Sequence, residues 1–149
     1  MPVFQTTKWV AHSADNMLKL VADVERYPEF LPLCKDLSVL SRKRDGDAEE
    51  LLARMSVAYK VVEESFTSQV NIDHTNRKIV AQYIDGPFKE LHNRWSFTDQ
   101  SGGCEIDFFI DYTFRSRTLQ FLLGSVFDKA VRKYTDAFEE RANQIYGHP

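Results

Sequence analysis

The sequence predicts an α+β fold in which an antiparallel sheet of about seven strands curls around a long C-terminal helix. Two observations lead to this prediction. Between residues 49 and 115, apolar and polar side chains alternate in runs that are separated by turn sequences. After Arg117 the period changes, and apolar residues recur every three or four positions as far as Ile145. A sheet with one apolar face must cover it, and this helical stripe is the largest apolar surface available.

The first predicted elements are a strand and a short helix. Residues 3–10 contain β-branched and aromatic residues without a breaker, which is typical of a strand. Ser13 is a suitable N-cap, and apolar residues follow it at helical spacing. We expect this helix to end before Pro28, because proline lacks a backbone donor and restricts the residue before it.

The alternating runs then predict consecutive antiparallel strands joined by hairpins. Residues 36–43 and 78–84 add two strands to the runs 49–61, 62–72 and 104–115. The inner face of those three runs is expected to carry Leu51, Ala53, Met55, Val57, Tyr59 and Val61, then Val62, Phe66, Val70 and Ile72, then Cys104, Ile106, Phe108, Ile110, Tyr112 and Phe114. Residues 119–146 are predicted to form one continuous helix across the sheet. A wide sheet that curls around a single helix leaves an internal cavity.

Composition limits the classes of function. A chain of 149 residues fits one domain, residues 1–149. The net charge of −3 offers no overall attraction to nucleic acid, so DNA binding is not expected. Cys34 and Cys104 form neither a disulfide framework nor a zinc-ligand pattern. Without a signal sequence or a membrane-spanning stretch, we expect a cytoplasmic protein whose contact with the inner face of a membrane is at most peripheral.

Residues 24–34 are the most unusual connection in the chain. Connections are normally polar, yet this one is apolar and is interrupted by two prolines. We expect it to close one end of the cavity as a lid. The predicted lid residues are Tyr27, Pro28, Phe30, Leu31, Pro32 and Leu33.

Three motifs resemble those of the coenzyme Q-binding protein family, and the resemblance covers nearly the whole chain in order and length. They are the segment 27–34 (Tyr-Pro-Glu-Phe-Leu-Pro-Leu-Cys), the segment 86–89 (Gly-Pro-Phe-Lys) with Leu91, Trp95 and Phe97, and the segment 137–142 (Ala-Phe-Glu-Glu-Arg-Ala) with Tyr146 and Gly147. That family belongs to the polyketide cyclase/START-like superfamily and has the helix-grip fold. In it, an aromatic residue is common at the position of Leu33, and a small residue is expected at the position of Asn93.

The resemblance implies a non-enzymatic carrier or chaperone that binds ubiquinone (coenzyme Q), or a related polyprenyl quinone or lipid, and supports respiratory electron transport. No cofactor would be required beyond this bound ligand. We expect the quinone ring among Asn93, Trp95 and inward tyrosines, and the isoprenoid tail along the C-terminal helix. The predicted ligand-binding residues are Tyr59, Tyr83, Leu91, Asn93, Trp95, Phe108, Tyr112, Leu122, Val126, Phe127 and Tyr134. Because buried amides need partners, the alternative for Asn93 is a hydrogen bond to the backbone or to a neighbouring tyrosine.

Two other functions stay open. Bacterial relatives in the same family are toxins that block association of ribosomal subunits, and such binding would use exposed basic residues, namely Arg42, Lys43, Arg44, Arg132 and Lys133. Some superfamily members are cyclases or hydrolases that use the same cavity.

The sequence offers little for catalysis, and no catalytic or metal-binding residue is predicted. His12, His74, His92 and His148 are scattered, and we expect His74, His92 and His148 at the surface. Asp107 and Asp111 fall on the outer face of one strand, in solvent. We expect the Cys34 thiol to be buried and structural.

Overall fold

The computed structural model describes residues 3–147 and contains one seven-stranded antiparallel sheet in the order β1-β7-β6-β5-β4-β3-β2. The strands are β1 (Val3–Val10), β2 (Cys34–Asp45), β3 (Ala48–Tyr59), β4 (Val62–Asp73), β5 (Lys78–Asp85), β6 (Phe88–Gln100) and β7 (Gly103–Phe114). The helices are α1 (Ala14–Ala22), a 3₁₀ helix (Val24–Glu29), α2 (Arg117–Val131) and α3 (Tyr134–Tyr146). This architecture confirms the predicted curled sheet and helix-grip fold.

The alternation of side chains along the strands determines which face of the sheet forms the core, and it is clearest on β7. Its residues from Cys104 to Phe114 alternate between buried and half-buried positions along the whole strand. The buried set faces the helices and the other set faces outward, while the backbone of β7 pairs with β1 and β6. One side of the sheet therefore supplies a continuous apolar surface, as the alternation predicts.

Helix α1 begins where the sequence indicates. The Ser13 hydroxyl accepts a hydrogen bond from the Asn16 amide at 3.1 Å, and the Asp99 carboxylate accepts another from the Ala14 amide at 2.9 Å. These two acceptors satisfy donors that a helix start leaves without partners. Met17, Leu18 and Val21 form the buried face.

The prediction of one continuous C-terminal helix was wrong, because α2 and α3 are separated at Arg132 and Lys133. The Lys133 backbone has φ −100° and ψ 0°, outside the helical range. Its amide bonds the Ala130 carbonyl at 3.0 Å, which tightens the end of α2. No proline or glycine marks this break, so the helical periodicity of the sequence continues through it.

The lid begins as a 3₁₀ helix, and Pro28 lies inside it. The backbone hydrogen bonds avoid the proline nitrogen. Arg26 donates to the Asp23 carbonyl, and Phe30 and Leu31 both donate to the Tyr27 carbonyl. A tight turn of this kind needs no donor at Pro28, so proline is tolerated there.

The sheet has two ends, which we name by their connections. The closed end contains the β2–β3, β4–β5 and β6–β7 turns, the start of α1 and the end of α3. The open end contains the β3–β4 and β5–β6 turns, the start of α2 and Leu33, whose carbonyl accepts from the Ala58 amide. Val61 was predicted to face inward, but it lies in the β3–β4 turn and is 99% exposed.

Candidate functional site

A cavity lies between the inner face of the sheet, the region where α2 meets α3, and the lid. Its wall consists of Val24, Tyr27, Leu31, Leu37, Ala53, Met55, Phe66, Ser68, Val70, Ile79, Ala81, Leu91, Asn93, Trp95, Phe108, Ile110, Phe127, Tyr134 and Phe138. The space open to the centre of a water molecule is about 110 Å³. This corresponds to roughly four water molecules and is somewhat smaller than an apolar cavity of about 150 Å³ that holds one benzene ring.

Burial of the wall changes along β3 and β4. Ala53 and Val70 are buried, whereas Met55 and Phe66, which lie nearer the open end, are half-buried. The wall is therefore more exposed towards the open end, where β3 and β4 lie across a gap from the start of α2.

Three polar side chains interrupt the apolar wall. The buried Ser68 hydroxyl has no hydrogen-bond partner among residues 3–147. Asn93 donates one N–H of its amide to the Phe109 carbonyl at 2.9 Å, and its second N–H has no acceptor among the described residues. The Tyr134 hydroxyl likewise makes no hydrogen bond to the described part of the chain. All three groups can donate to a ligand in the cavity.

The wall contains no carboxylate, lysine, arginine, histidine or cysteine in the described part of the chain. Tyr27 and Tyr134 are its only groups that can ionise, and burial raises the pKa of both hydroxyls well above the usual tyrosine range. Both therefore stay neutral donors. A charged ligand would lose its hydration in this cavity without gaining a counter-charge, so the wall suits a neutral molecule.

Aromatic stacking holds the lid on α3. Tyr27 and Phe30 contact Phe138 edge to face, with ring centroids 5.3 and 5.2 Å apart. The Arg141 guanidinium lies 5.1 Å from the centroid of the Phe30 ring and pairs with the Glu29 carboxylate. The Arg26 and Arg141 guanidiniums lower the pKa of Glu29. The Tyr27 hydroxyl donates to the Val21 carbonyl and fastens the lid to α1.

The far end of the lid is a strained backbone position. Leu33 has φ +67°, a left-handed conformation that non-glycine residues seldom adopt. Its carbonyl accepts from the Ala58 amide at 3.1 Å, which ties the lid to β3. Strained residues of this kind concentrate at ligand clamps and switch segments.

The structure brings about half of the predicted ligand-binding residues to the cavity wall. These are Leu91, Asn93, Trp95, Phe108, Phe127 and Tyr134, together with Tyr27 and Leu31 from the lid. The remaining lid residues, Pro28, Phe30, Pro32 and Leu33, support the lid from outside the wall. The role of these residues in ligand binding stays a prediction.

Five predicted ligand-binding residues lie away from the wall. The Tyr83 hydroxyl accepts from the Phe88 amide at 3.1 Å, and Tyr112 is fully buried among Phe88, Phe114 and Phe127. Burial, and then the nearby Asp128 carboxylate, raise the pKa of Tyr112. The others are Tyr59 at the open end of β3 and Leu122 and Val126 on α2.

Sequence reasoning missed Ser68 as a site residue, although its signal was available. Ser68 has the same parity on β4 as Phe66 and Val70, and it is the only polar residue between them on that face. Phe66 and Phe138 were assigned to apolar faces without a role in the site. A polar residue on an otherwise apolar face is the pattern that identifies such a position.

The candidate catalytic residues stay outside the cavity. His92 is exposed, as predicted, and His148 lies outside the described residues. His12 is buried and bonds the Asn143 side chain at 2.7 Å. His74 is half-buried, 3.2 Å from the Glu49 carboxylate.

The two outer-face aspartates and the cysteines show no catalytic arrangement. Asp107 accepts from the Thr7 hydroxyl at 2.8 Å on the outer face of the sheet, and Asp111 is half-buried on the same face. Cys34 is a buried free thiol, and burial raises its pKa to about 12. Within residues 3–147 no group of three or more potential ligands is arranged to hold a metal ion. No described helix is both long and apolar enough to span a membrane.

Comparisons with known proteins support this description of the fold. Residues 10–139 match the family described as polyketide cyclase / dehydrase and lipid transport. Over 147 residues the chain is 32% identical to the ribosome association toxin RatA of Escherichia coli K12, covering 98% of this chain and 90% of that protein. It is 30% identical over 149 residues to the mitochondrial coenzyme Q-binding protein COQ10 homolog B of Xenopus laevis, covering 97% of this chain and 59% of that protein.

Solved structures also match the fold of this chain. The solution structure of the 18 kDa protein CC1736 from Caulobacter crescentus superposes with a TM-score of 0.80 at 30% identity, covering 99% of this chain and 100% of that one. The Zhui aromatase/cyclase from Streptomyces sp. R1128 superposes with a TM-score of 0.75 at 16% identity, covering 96% and 94%, which shows a shared fold only. This chain therefore belongs to the polyketide cyclase / dehydrase and lipid transport family.

Proposed function

We propose that this protein binds ubiquinone, or a related polyprenyl quinone or lipid, and carries it in support of respiratory electron transport. One observation carries the proposal. The apolar, uncharged cavity offers three hydrogen-bond donors that the described chain leaves unused or half used, on Ser68, Asn93 and Tyr134. A quinone ring is neutral and its oxygens only accept hydrogen bonds, so its chemistry complements these donors.

The cavity is large enough for only one part of such a ligand. A space of about 110 Å³ approaches the size of one ring, so a substituted quinone ring would enter with displacement of the half-buried Met55 and Phe66 side chains. A polyprenyl tail must leave through the gap between α2 and β3–β4, where Val126 and Leu122 lie on α2 outside the wall. The tail would gain affinity by covering apolar surface at about 25 cal/mol per Å², without any charge.

Direct extraction tests whether the protein carries such a ligand. The purified protein would be extracted with organic solvent and the extract analysed by mass spectrometry. We expect a quinone or a related isoprenoid lipid in the extract. An extract without quinone or lipid, together with no transfer of quinone from loaded liposomes, contradicts the proposal.

Matched variants test the role of the donors. We expect Ser68→Ala and Tyr134→Phe each to weaken binding of a short-tailed ubiquinone roughly three- to tenfold, because each removes one hydrogen bond. Ser65→Ala and Tyr83→Phe are the controls, since both residues lie outside the wall on β4 and β5. Tryptophan fluorescence measures binding, because Trp95 lines the cavity. Equal affinities for all four variants would contradict the proposed donors.

A second function is supported by the comparison with RatA, which covers 98% of this chain. As the second candidate, we propose that exposed basic residues bind a ribosomal subunit. Arg42 is paired with Glu25 and Glu49, and Arg132 with Asp128, which reduces their availability. Lys43 and Lys133 are exposed, and the structure gives neither of them an ion pair.

Co-sedimentation with isolated ribosomal subunits at two salt concentrations tests this second function. Binding through Lys43 and Lys133 should weaken steeply with salt and with Lys→Gln changes at both positions. The control is Lys19→Gln, a change of an exposed lysine on α1. Absence of binding at low salt would contradict the second candidate and leave the first one unaffected.

We propose no chemical step for this cavity and no required cofactor. The fold also occurs in an aromatase/cyclase, but acid–base catalysis needs a titratable pair near the substrate. The wall residues include two neutral tyrosines and no carboxylate or histidine. We place the protein in the cytoplasm, where its two buried free thiols would stay reduced.

A further inference from the structure

We infer that the open end docks on an anionic lipid bilayer through the first turns of α2 and the β3–β4 turn. The inference rests on the proposed function, because docking would place the cavity opening where a membrane-dissolved ligand enters and leaves. We call Val61, Phe121 and Leu122 the apolar tips.

The apolar tips are unusually exposed. Phe121 is 85% exposed on α2, and Val61 is 99% exposed at the end of the β3–β4 turn. Leu122 is 46% exposed beside Phe121. These side chains do not contribute to the core, although Leu119 and Leu123 on the same helix pack against it or within it. Bulky apolar residues at the tips of two separate elements are suited to insertion into a bilayer interface.

The charges beside the apolar tips favour an anionic lipid surface over a neutral one. Arg115 and Arg117 lie at the start of α2, and the first turn of this helix contains no acidic residue. Cations at a helix N-terminus oppose the helix dipole and cost stability. Neither arginine forms an ion pair in the described structure, and the Arg115 guanidinium donates to the Phe88 carbonyl at 3.4 Å. Lipid phosphates would compensate this unfavourable placement.

The opposite side of the gap has mixed charge. Lys60 precedes Val61 and lies 5.3 Å from the Tyr59 ring centroid, while Glu63 is paired with Lys35. Asp85 on β5 is exposed at the same end. Glu64 and Glu90 also lie near this end. The cations beside the tips that form no ion pair in the described structure are Lys60, Arg115 and Arg117, and Val61 adds an apolar side chain on the β3–β4 turn.

Vesicle co-sedimentation tests the inference with the full chain. The probes are phosphatidylcholine vesicles with and without about one third phosphatidylglycerol. We expect the wild type to bind the anionic vesicles. We expect Phe121→Ser to weaken that binding about tenfold, because one aromatic side chain no longer enters the interface. Arg115→Gln with Arg117→Gln should weaken binding to anionic vesicles by a similar factor.

Two matched controls keep the result specific. Ile145→Ser changes a half-exposed apolar residue at the closed end, and Lys129→Gln changes an exposed cation in the last turn of α2. Both should bind vesicles like the wild type. Equal vesicle binding by Phe121→Ser and Ile145→Ser overturns the inference. Equal binding of the wild type to vesicles with and without phosphatidylglycerol also overturns it. So does a wild type that self-associates through Phe121 without binding vesicles, because the surface then fits a second copy.

The same variants separate this inference from the proposed function. Phe121 and Arg117 lie outside the cavity wall, so their variants should still bind a short-tailed ubiquinone in solution. Quinone binding without vesicle binding overturns the docking inference alone. A wild type that binds anionic vesicles but no quinone overturns the proposed function instead.

Discussion

The closed end and the open end of this molecule use apolar side chains differently. At the closed end, Val10, Met17 and Cys104 have almost no exposed surface. At the open end, Phe88 and Phe114 are buried, but Val61 and Phe121 are 99% and 85% exposed. Composition therefore does not distinguish apolar residues that pack from apolar residues that stay at the surface.

Polar contacts reinforce this difference. At the closed end, the Asn143 side chain on α3 bonds His12 at 2.7 Å, and the Tyr146 hydroxyl bonds the Asn16 carbonyl at 3.3 Å. Lys8 on β1 pairs with two carboxylates of α3. The start of α2 at the open end has no comparable ion pairs in the described structure. The closed end therefore joins its helices to the sheet by polar contacts that the start of α2 lacks.

The largest expected difference between the regions concerns two helical phenylalanines. Phe138 is fully buried between the sheet and the lid, and Phe138→Ala should lower the free energy of unfolding by about 3–5 kcal/mol. Phe121→Ala should change it by less than about 0.5 kcal/mol, since the side chain is 85% exposed. Urea denaturation measures both values. Similar losses for the two variants would contradict the difference between the regions.

Enlarging an alanine probes the empty space directly. Ala142 is fully buried at the closed end, and Ala142→Leu should cost about 1–3 kcal/mol by overpacking. Ala53 faces the cavity, so Ala53→Leu should cost less than about 1.5 kcal/mol while weakening quinone binding about tenfold or more. Thermal denaturation and a quinone titration check the pair. If Ala53→Leu lowers the free energy of unfolding more than Ala142→Leu does, the cavity cannot accommodate a larger side chain, which contradicts this prediction.

Gly86 at the open end and Gly46 at the closed end both lie in turns, and they differ in how much space a side chain would have. A Cβ at Gly86 would lie 2.5 Å from the Phe66 Cβ and 2.8 Å from its Cα, and the glycine has φ +146°. Gly86→Ala should therefore cost about 1–3 kcal/mol and shift Phe66 in the cavity wall. Gly46→Ala, at φ +61° with open space around it, should cost at most about 1 kcal/mol. Chemical denaturation of both variants measures this difference.

The smallest expected effect concerns the lid. The Arg26 and Arg141 guanidiniums lower the pKa of Glu29 below its usual value near 4.5. The stabilising contribution of the carboxylate is therefore present above that value and is lost as the pH falls through the lowered pKa. Glu29→Gln should speed amide hydrogen exchange of Leu31 roughly two- to fivefold at neutral pH. The control is Glu140→Gln, a change of an exposed glutamate on α3, which should leave the exchange rate of Leu31 unchanged.

This lid prediction also has a pH signature. Wild-type exchange at Leu31, corrected for its intrinsic pH dependence, should rise as the pH is lowered below about 4.5, whereas Glu29→Gln should show no such step. A step of equal size in both proteins would mean that another group controls the lid.

The sequence predicts the architecture well because the sheet is one-sided. Period-two alternation on β7, the turn sequences and the Ser13 cap each specify a local structure that the fold retains. Asn93 was recognisable as a polar residue on an apolar face, and its amide bonds the backbone while still facing the cavity.

The remaining features depend on geometry that a local pattern does not encode. The break at Lys133 lacks a proline or glycine, and it decides which α2 and α3 residues reach the cavity. Leu122 follows the same helical periodicity as Phe127, yet it is 46% exposed while Phe127 forms part of the wall. Periodicity identifies a face of a helix, but the curvature of the sheet determines how much of that face is covered.

Amide chemical shifts during a titration with short-tailed ubiquinone test the central claim most directly. We predict that shifts concentrate at Ser68, Ala81, Asn93 and Tyr134 around the cavity. Val10, in the packed closed end, should remain unchanged. The absence of saturable shifts, or shifts confined to the closed end or the outer face of the sheet, would contradict the account.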